Sequence, residues 1–320
     1  MNENHLSKMK VLVDTRPAGQ LVYPNLARYR AFRRHFADPI PMAKAEATAY
    51  MLANYPAYVD EYDRIAGSLR GAYIPDAEID PVECNRANDI CASYGSLSFH
   101  TNSDHFAPGY ERFLKDGIDG TRARIAESRK AHENDPDDPA LRHPASDKAA
   151  YLDTMETVLD GFAAFVENHA KAAKRAAETA ADPDNAAYLR TLSEDLTFIS
   201  HAAPTSFRQA LNLVWLCHVA FVLQGKYAQA LGRMDQYLYP YYRKDLDEGR
   251  MTLSLLSARH RFRCVDRGDG GGACRLYIYK NQGAAVVERR RCGQYLHRRR
   301  KAGRYRGHQS SVLRDPPRRA

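Results

Sequence analysis

The side chains best suited to chemistry are six cysteines and one run in which an arginine and a carboxylate stand two residues apart among tyrosines. A thiolate is a nucleophile and a metal ligand, but Cys84, Cys91, Cys217, Cys264, Cys274 and Cys292 are scattered, with no CxxC pair. Their spacing therefore points to neither a metal site nor a redox dithiol. Cys217 lies in an apolar stretch and reads as a small buried hydrophobe. In residues 232–249, Arg233 and Asp235 offer a bidentate guanidinium–carboxylate contact. Tyr237, Tyr239, Tyr241 and Tyr242 surround Pro240, and their hydroxyls need partners once the rings are buried. Such a run suits a structural corner better than a reactive site, because buried ion pairs often serve fold specificity. The glycines of residues 268–272 are a poor phosphate loop, since no GK[ST] follows and no strand or helix pattern flanks them.

The elements that must position these groups are mainly helical. Apolar residues recur at three- and four-residue steps through 42–55 and 109–129. Between them, residues 73–99 read as loops and short elements broken by Pro75, Pro81, Asn85 and Gly95. Residues 132–146, with Pro136, Pro139 and Pro144, read as an exposed connection. A long helix is expected from Asp147, as N-cap, to about Ala181, with Leu152, Met155, Val158, Leu159 and Phe162 on one face. Asp182-Pro183-Asp184 should end it and cap the next, 185–201. Pro204 breaks that helix, and Ser206 with Gln209 forms a capping-box pattern that opens an apolar helix to Gln224. Polar residues interrupt this last helix too often for a membrane span, and no signal-peptide pattern opens the chain. Free thiols in a reducing cytoplasm are the default for such a chain.

Charge divides the sequence. Residues 260–320 hold fifteen Arg and two Lys against four Asp or Glu, a net +13, which leaves −5 of the total +8 for the first 259. A tail so charged and so poor in apolar periodicity is not expected to fold by itself.

Three segments together resemble the pyruvate-formate-lyase-like domain of glycyl radical enzymes. Residues 105–125, HFAPGYERFLKDGIDGTRARI, are similar to the family's His, Pro-x-Tyr and "vL..G..G....I" helix. Residues 204–218, PTSFRQALNLVWLCH, resemble "P.sF.EAlql.w..h". Residues 232–249, GRMDQYLYPYYRKDLDEG, look like the GRxDQyLyPyYxxD run of the dehydratase and lyase branch, with Arg233, Asp235, Gln236, Tyr241 and Tyr242 as its structural core. A weaker echo is Asp63-Arg64-Ile65-Ala66-Gly67, similar to an early "d.ivG" turn. Shifted by one nucleotide, the codons of residues 292–318 can spell a segment similar to the family's downstream "tvGG...DG.DatN.LSyl.l". The tail 259–320 is therefore expected to be out of frame, behind an N-terminal family portion at 1–258.

The resemblance implies an α/β fold, helix-rich here: the N-terminal part of a ten-stranded barrel, left incomplete. It implies cleavage of a C–O or C–N bond in a small polar substrate, or formate acetyltransferase-like chemistry. A thiyl radical is generated there by a glycyl radical that a radical SAM activase installs. It also implies a homodimer. None of the six cysteines matches the active-site loop and no radical-glycine segment is recognised, so the chain alone is expected to be inactive, with no catalytic residue and no cofactor of its own. His105, Tyr227 and Gln229 are the substrate-binding candidates. Tyr227-Ala228-Gln229-Ala230 stands where diol dehydratases carry His and Ser, which argues against glycerol dehydratase. Two alternatives stay open: one half of a split enzyme, or a polyanion binder acting through the tail, although no nucleic-acid-binding module is recognised. Unpaired barrel edges and uncovered apolar faces lead to an expectation of poor solubility.

Overall fold

The computed structural model describes residues 19–93, 106–142, 144–226, 229–251, 262–265 and 273–276. Its spine is α5 (Ala145–Thr179). Leu152, Leu159, Phe162, Phe165, Val166, Ala170, Ala173 and Ala177 recur along it at helical spacing and are buried. Met155, expected on that face, stays exposed. Against the spine pack α2 (Ile40–Ala53), α4 (Tyr110–Ala131) and α6 (Pro183–Ile199). Before α2 comes α1 (Tyr23–His35), and after it α3 (Pro81–Ser93), which packs on α1.

Small residues set the closest approach. A Cβ on Gly161 would lie 2.4 Å from the Ala49 Cα, so α2 crosses α5 at a point where only hydrogen fits. The alanines that follow on α5 let α6 settle closely, and Leu189, Leu192, Leu196 and Ile199 of α6 are fully buried there. Each such side chain contributes about 1.5–3 kcal/mol of transfer free energy.

Helix starts follow local chemistry, with two revisions. Asp182 caps α6 as expected, its Oδ1 accepting from the Asp184 N–H at 2.9 Å, with Pro183 supplying a first-turn φ. Asp147 does not cap α5. The cap position is Pro144 and makes no side-chain bond, which leaves Asp147 in the first turn, where its charge suits the helix dipole. Within 73–99 the sequence reading missed α3. Pro81 does not break the chain here: it is the first residue of α3, where a missing N–H costs nothing. Around it, Tyr73–Ile74 (β2) pairs antiparallel with Gln20–Leu21 (β1), followed by a 3-10 turn at Asp76–Glu78.

The apolar helix α7 (Phe207–Leu223) begins at Ser206, whose Oγ accepts from the Gln209 N–H at 3.3 Å. The reciprocal half of the box is displaced by one residue: the Gln209 Oε1 accepts from Thr205 N, not Ser206 N. After it come α8 (Met234–Tyr237) and α9 (Tyr239–Asp247). The tail contributes β3 (Phe262–Val265) and β4 (Ala273–Leu276), paired antiparallel with Phe262 opposite Leu276. Among the described residues these four strands form two two-stranded ladders, and the remaining regular structure is helical. No described helix is long and apolar enough to cross a membrane.

Candidate functional site

The segments singled out in the sequence meet around α7. At its N-terminal end, Asp245 of α9, only 4% exposed, accepts the Phe207 N–H at 2.9 Å through Oδ2. Its other oxygen takes Arg250 Nε and Nη2 at 3.0 and 2.7 Å. A carboxylate at a helix start satisfies an orphan donor and the positive dipole end together. The Tyr242 ring meets Phe207 edge-on at 5.9 Å.

Midway along α7, Asn212 and Trp215 hold the turn that carries Gly67. Asn212 Oδ1 accepts from Ala66 N at 2.9 Å, and Trp215 Nε1 donates to Gly67 O at 3.0 Å. Gly67 has φ +102°, a backbone state that favours glycine. Beside it, the guanidiniums of Arg64 and Arg208 lie 4.7 and 5.4 Å from the Tyr188 ring centroid. Arg208 also pairs with Asp195, while Tyr188 donates to Arg64 O at 2.8 Å.

At the C-terminal half of α7 the segment 106–110 comes beside 229–237. The Ala230 N–H donates to Phe106 O at 2.9 Å, and the Phe106 ring packs edge-on against Phe221 of α7 at 5.6 Å. The Tyr110 and Tyr237 rings sit 6.0 Å apart, and the Tyr237 hydroxyl donates to Leu231 O at 2.7 Å. The Tyr241 hydroxyl donates to Leu114 O on α4 at 3.1 Å.

Of the substrate-binding candidates, His105 and Tyr227 lie outside the described residues. Gln229 is described and 9% exposed. The single Ala230–Phe106 bond nevertheless joins the two stretches that carry all three, more than a hundred residues apart in sequence. Arg233 and Asp235 do not form the expected contact: both are exposed, and no ion pair joins them. Arg233 is the N-cap residue of α8, and its carbonyl accepts from Gln236 N and Tyr237 N. Gln236 is exposed as well. Asp245 is the closing Asp of the GRxDQyLyPyYxxD run, and its role as the buried acceptor at the start of α7 shows only in three dimensions.

Cys217 faces Tyr110 and Tyr237 from α7. Burial pushes its thiol up to about 12. Burial first, and then Cys217 as a neighbour, also raises Tyr110; Tyr237 is raised by burial, then by Asp235 and Cys217. With a pKa so far above ambient, the thiol stays protonated and unreactive. Native protein treated with iodoacetamide at pH 8.5 should leave Cys217 unlabelled by peptide mass mapping, while denatured protein labels it fully. Rapid native labelling would contradict a thiol held protonated by its half-buried surroundings. Cys84 is a free thiol at the edge of the α1–α3 contact. The Cys91 side chain and all of Cys292 lie outside the described part of the structure. Among the described residues no group of three or more His, Cys, Asp or Glu could hold a metal ion.

The sequence profile of the family described as "Pyruvate formate lyase-like" matches residues 78–257, more than half of the chain. The chain belongs to this family. Pyruvate formate lyase-like relatives include the isethionate sulfite-lyase of Bilophila wadsworthia, 31% identical over 145 residues that make 45% of this chain and 17% of that protein. The probable dehydratase YbiW of Escherichia coli is 29% identical over 162 residues, 50% of this chain and 19% of its own length. The chain thus spans under a fifth of the curated relatives it matches. In three dimensions it is similar to a glycyl radical enzyme from Archaeoglobus fulgidus, with a TM-score of 0.65 at 18% identity over 80% of this chain and 39% of that one. A structure for 1,2-propanediol dehydration in Roseburia inulinivorans gives a TM-score of 0.65 at 19% identity, over 86% and 38%. The fold is therefore that of the glycyl radical enzymes, represented here by a helix-rich part.

Proposed function

We propose that this chain is the substrate-facing portion of a glycyl radical lyase or dehydratase that breaks a C–O or C–N bond in a small polar molecule. The observation that carries this reading is the Ala230–Phe106 bond, which joins the stretch after His105 to the stretch after Tyr227 on one side of α7. His105, Tyr227 and Gln229 are the residues we assign to substrate. The named chemistries of the relatives support a lyase or decarboxylase: isethionate sulfite-lyase and the glycyl radical subunit of 4-hydroxyphenylacetate decarboxylase.

The described residues do not fit the radical-bearing part of such a site. Cys217 is half-buried beside Tyr110 and Tyr237 with its thiol held neutral, and Cys84 lies on α3 against α1. In this reading the thiyl cysteine and the radical glycine are supplied by polypeptide outside this stretch, a radical SAM activase installs the radical, and the assembled enzyme is a cytoplasmic homodimer. The chain alone is inactive.

The arginine-rich segment 259–320 is read here as out of frame, and the profile match ending at residue 257 supports a boundary there. Sequencing the coding DNA across codons 250–320 and beyond tests both points. The expected result is an alternate frame that continues into a Gly-Cys loop and a later radical-glycine segment. A coding region with neither, in any frame or neighbouring gene, would end the reading.

A further inference from the structure

Where the end of α2 meets the second half of α5, the chain leaves a cavity of about 310 Å3. Ala53, Pro56 and Ala57 line it from the α2 end, and Asn168, Lys171 and Arg175 line it from α5. None of these residues belongs to α7 or to the segments gathered around it. The carbonyls of the turn after α2 are already engaged. Ala53 O accepts from Asn168 Nδ2 at 2.7 Å, and Leu52 O accepts from Tyr55 N at 3.2 Å. Pro56 O is pressed onto Gly71, where an added Cβ would stand 1.9 Å from it. The Ala57 N–H, by contrast, has no acceptor among the described residues. No Asp or Glu is among the described residues that line the cavity. Its polar character is therefore that of donors and cations.

Lys171 and Arg175 stand four residues apart, on one face of α5 and about 6 Å from each other along its axis. On α4, Arg122, Arg124 and Arg129 each pair with a carboxylate. Arg175 pairs with none among the described residues, and Lys171 reaches Glu167 only at 3.9 Å. A carboxylate offsets one such cation. A phosphate monoester carries about −1.5 to −2 at neutral pH and presents three acceptor oxygens, enough to bridge both. The volume exceeds what a bare oxyanion fills, and the apolar surface of Ala53, Pro56 and Ala57 suits an attached organic group.

We propose that this cavity binds a small phosphate monoester, with Lys171 and Arg175 on the phosphoryl oxygens and the organic group against Ala53 and Pro56. The site is separate from the residues assigned to substrate and rests on no part of that reading.

Isothermal titration of the full 320-residue chain with phenyl phosphate, inorganic phosphate and benzoate tests it. Phenyl phosphate should bind about threefold or more tighter than inorganic phosphate, because its ring covers apolar surface, and benzoate should bind far more weakly than either. Lys171→Gln and Arg175→Gln should each weaken phenyl phosphate about fivefold to tenfold. Both side chains are exposed, so the variants should fold and melt as the parent does. Lys174→Gln is the control: it removes an equal charge from the same exposed helix but lies outside the cavity lining, and should leave the affinity unchanged. The arginine-rich tail is common to all variants, so differences among them read the cavity alone. Equal losses in all three variants would reduce the effect to general helix charge, and no loss in Lys171→Gln or Arg175→Gln would place the anion elsewhere; either result overturns the proposal. So would benzoate binding as tightly as phenyl phosphate, or no binding at all. The functional reading above stands or falls separately, on the coding DNA.

Discussion

Gly117→Ala is expected to cost about 3–5 kcal/mol of stability, enough to leave much of the chain unfolded at 37 °C. The residue sits within α4 at φ +65°, ψ −167°, where the helix is interrupted and restarts. That region belongs almost entirely to glycine, and forcing a Cβ into it costs about 1–3 kcal/mol. Space adds to the penalty. An added Cβ would stand 2.4 Å from Ala203 N and 2.7 Å from Ala202 C, both backbone atoms that cannot rotate away. Overpacking of this kind costs about 1–3 kcal/mol more. The break is anchored on both sides: Asp119 N donates to His201 O at 2.9 Å, and Thr121 Oγ1 donates to Gly117 O at 2.6 Å. Gly120, the partner glycine of the same sequence pattern, is the control. Its Cβ would meet only the Asp116 Cβ at 3.3 Å, with no positive φ, so Gly120→Ala should change stability by less than about 1 kcal/mol. Urea unfolding followed by circular dichroism measures both. Equal midpoints for the two variants would refute the account.

Asp245→Ala comes second, at about 2–4 kcal/mol. It removes the acceptor for the Phe207 N–H, a cap loss of about 0.5–2 kcal/mol, and leaves that donor buried, at about 1–3 kcal/mol. The Arg250 contribution is discounted because its side chain is half exposed and can reach water. Asp245→Asn keeps an oxygen for Phe207 N while losing the charge, and should recover more than half of the loss. Since α7 organises every segment of the site, Asp245→Ala should also raise amide exchange along α7 ahead of α5. Uniform exchange across both helices would show that α7 has no such separate dependence.

Much of the helical frame was legible in local patterns. The α5 stripe, the Asp182 cap and the Ser206 opening of α7 each follow from residues within a turn of one another. So does the family. Its motifs are short strings, and the profile covers the stretch that contains them. What failed to show locally was the meaning of single residues. Pro81 looked like a breaker and begins a helix; Asp147 looked like a cap and is not one. Arg233 and Asp235 looked like a pair and stand apart in solvent.

The motif residues prove to be latches between distant parts of the chain. Asn212 and Trp215 hold the Gly67 turn, Asp245 holds the start of α7, Tyr241 reaches α4, and Ala230 reaches Phe106. Caps, periodicity and short motifs act within a few residues, which is why the long helices and the family are legible locally while α3 is not. That Asp245 is a buried cap and that Arg233 and Asp235 stand apart follows from the packing of the whole chain. Burial and hydrogen-bond partnership are set by segments a hundred residues away, and no local string records them.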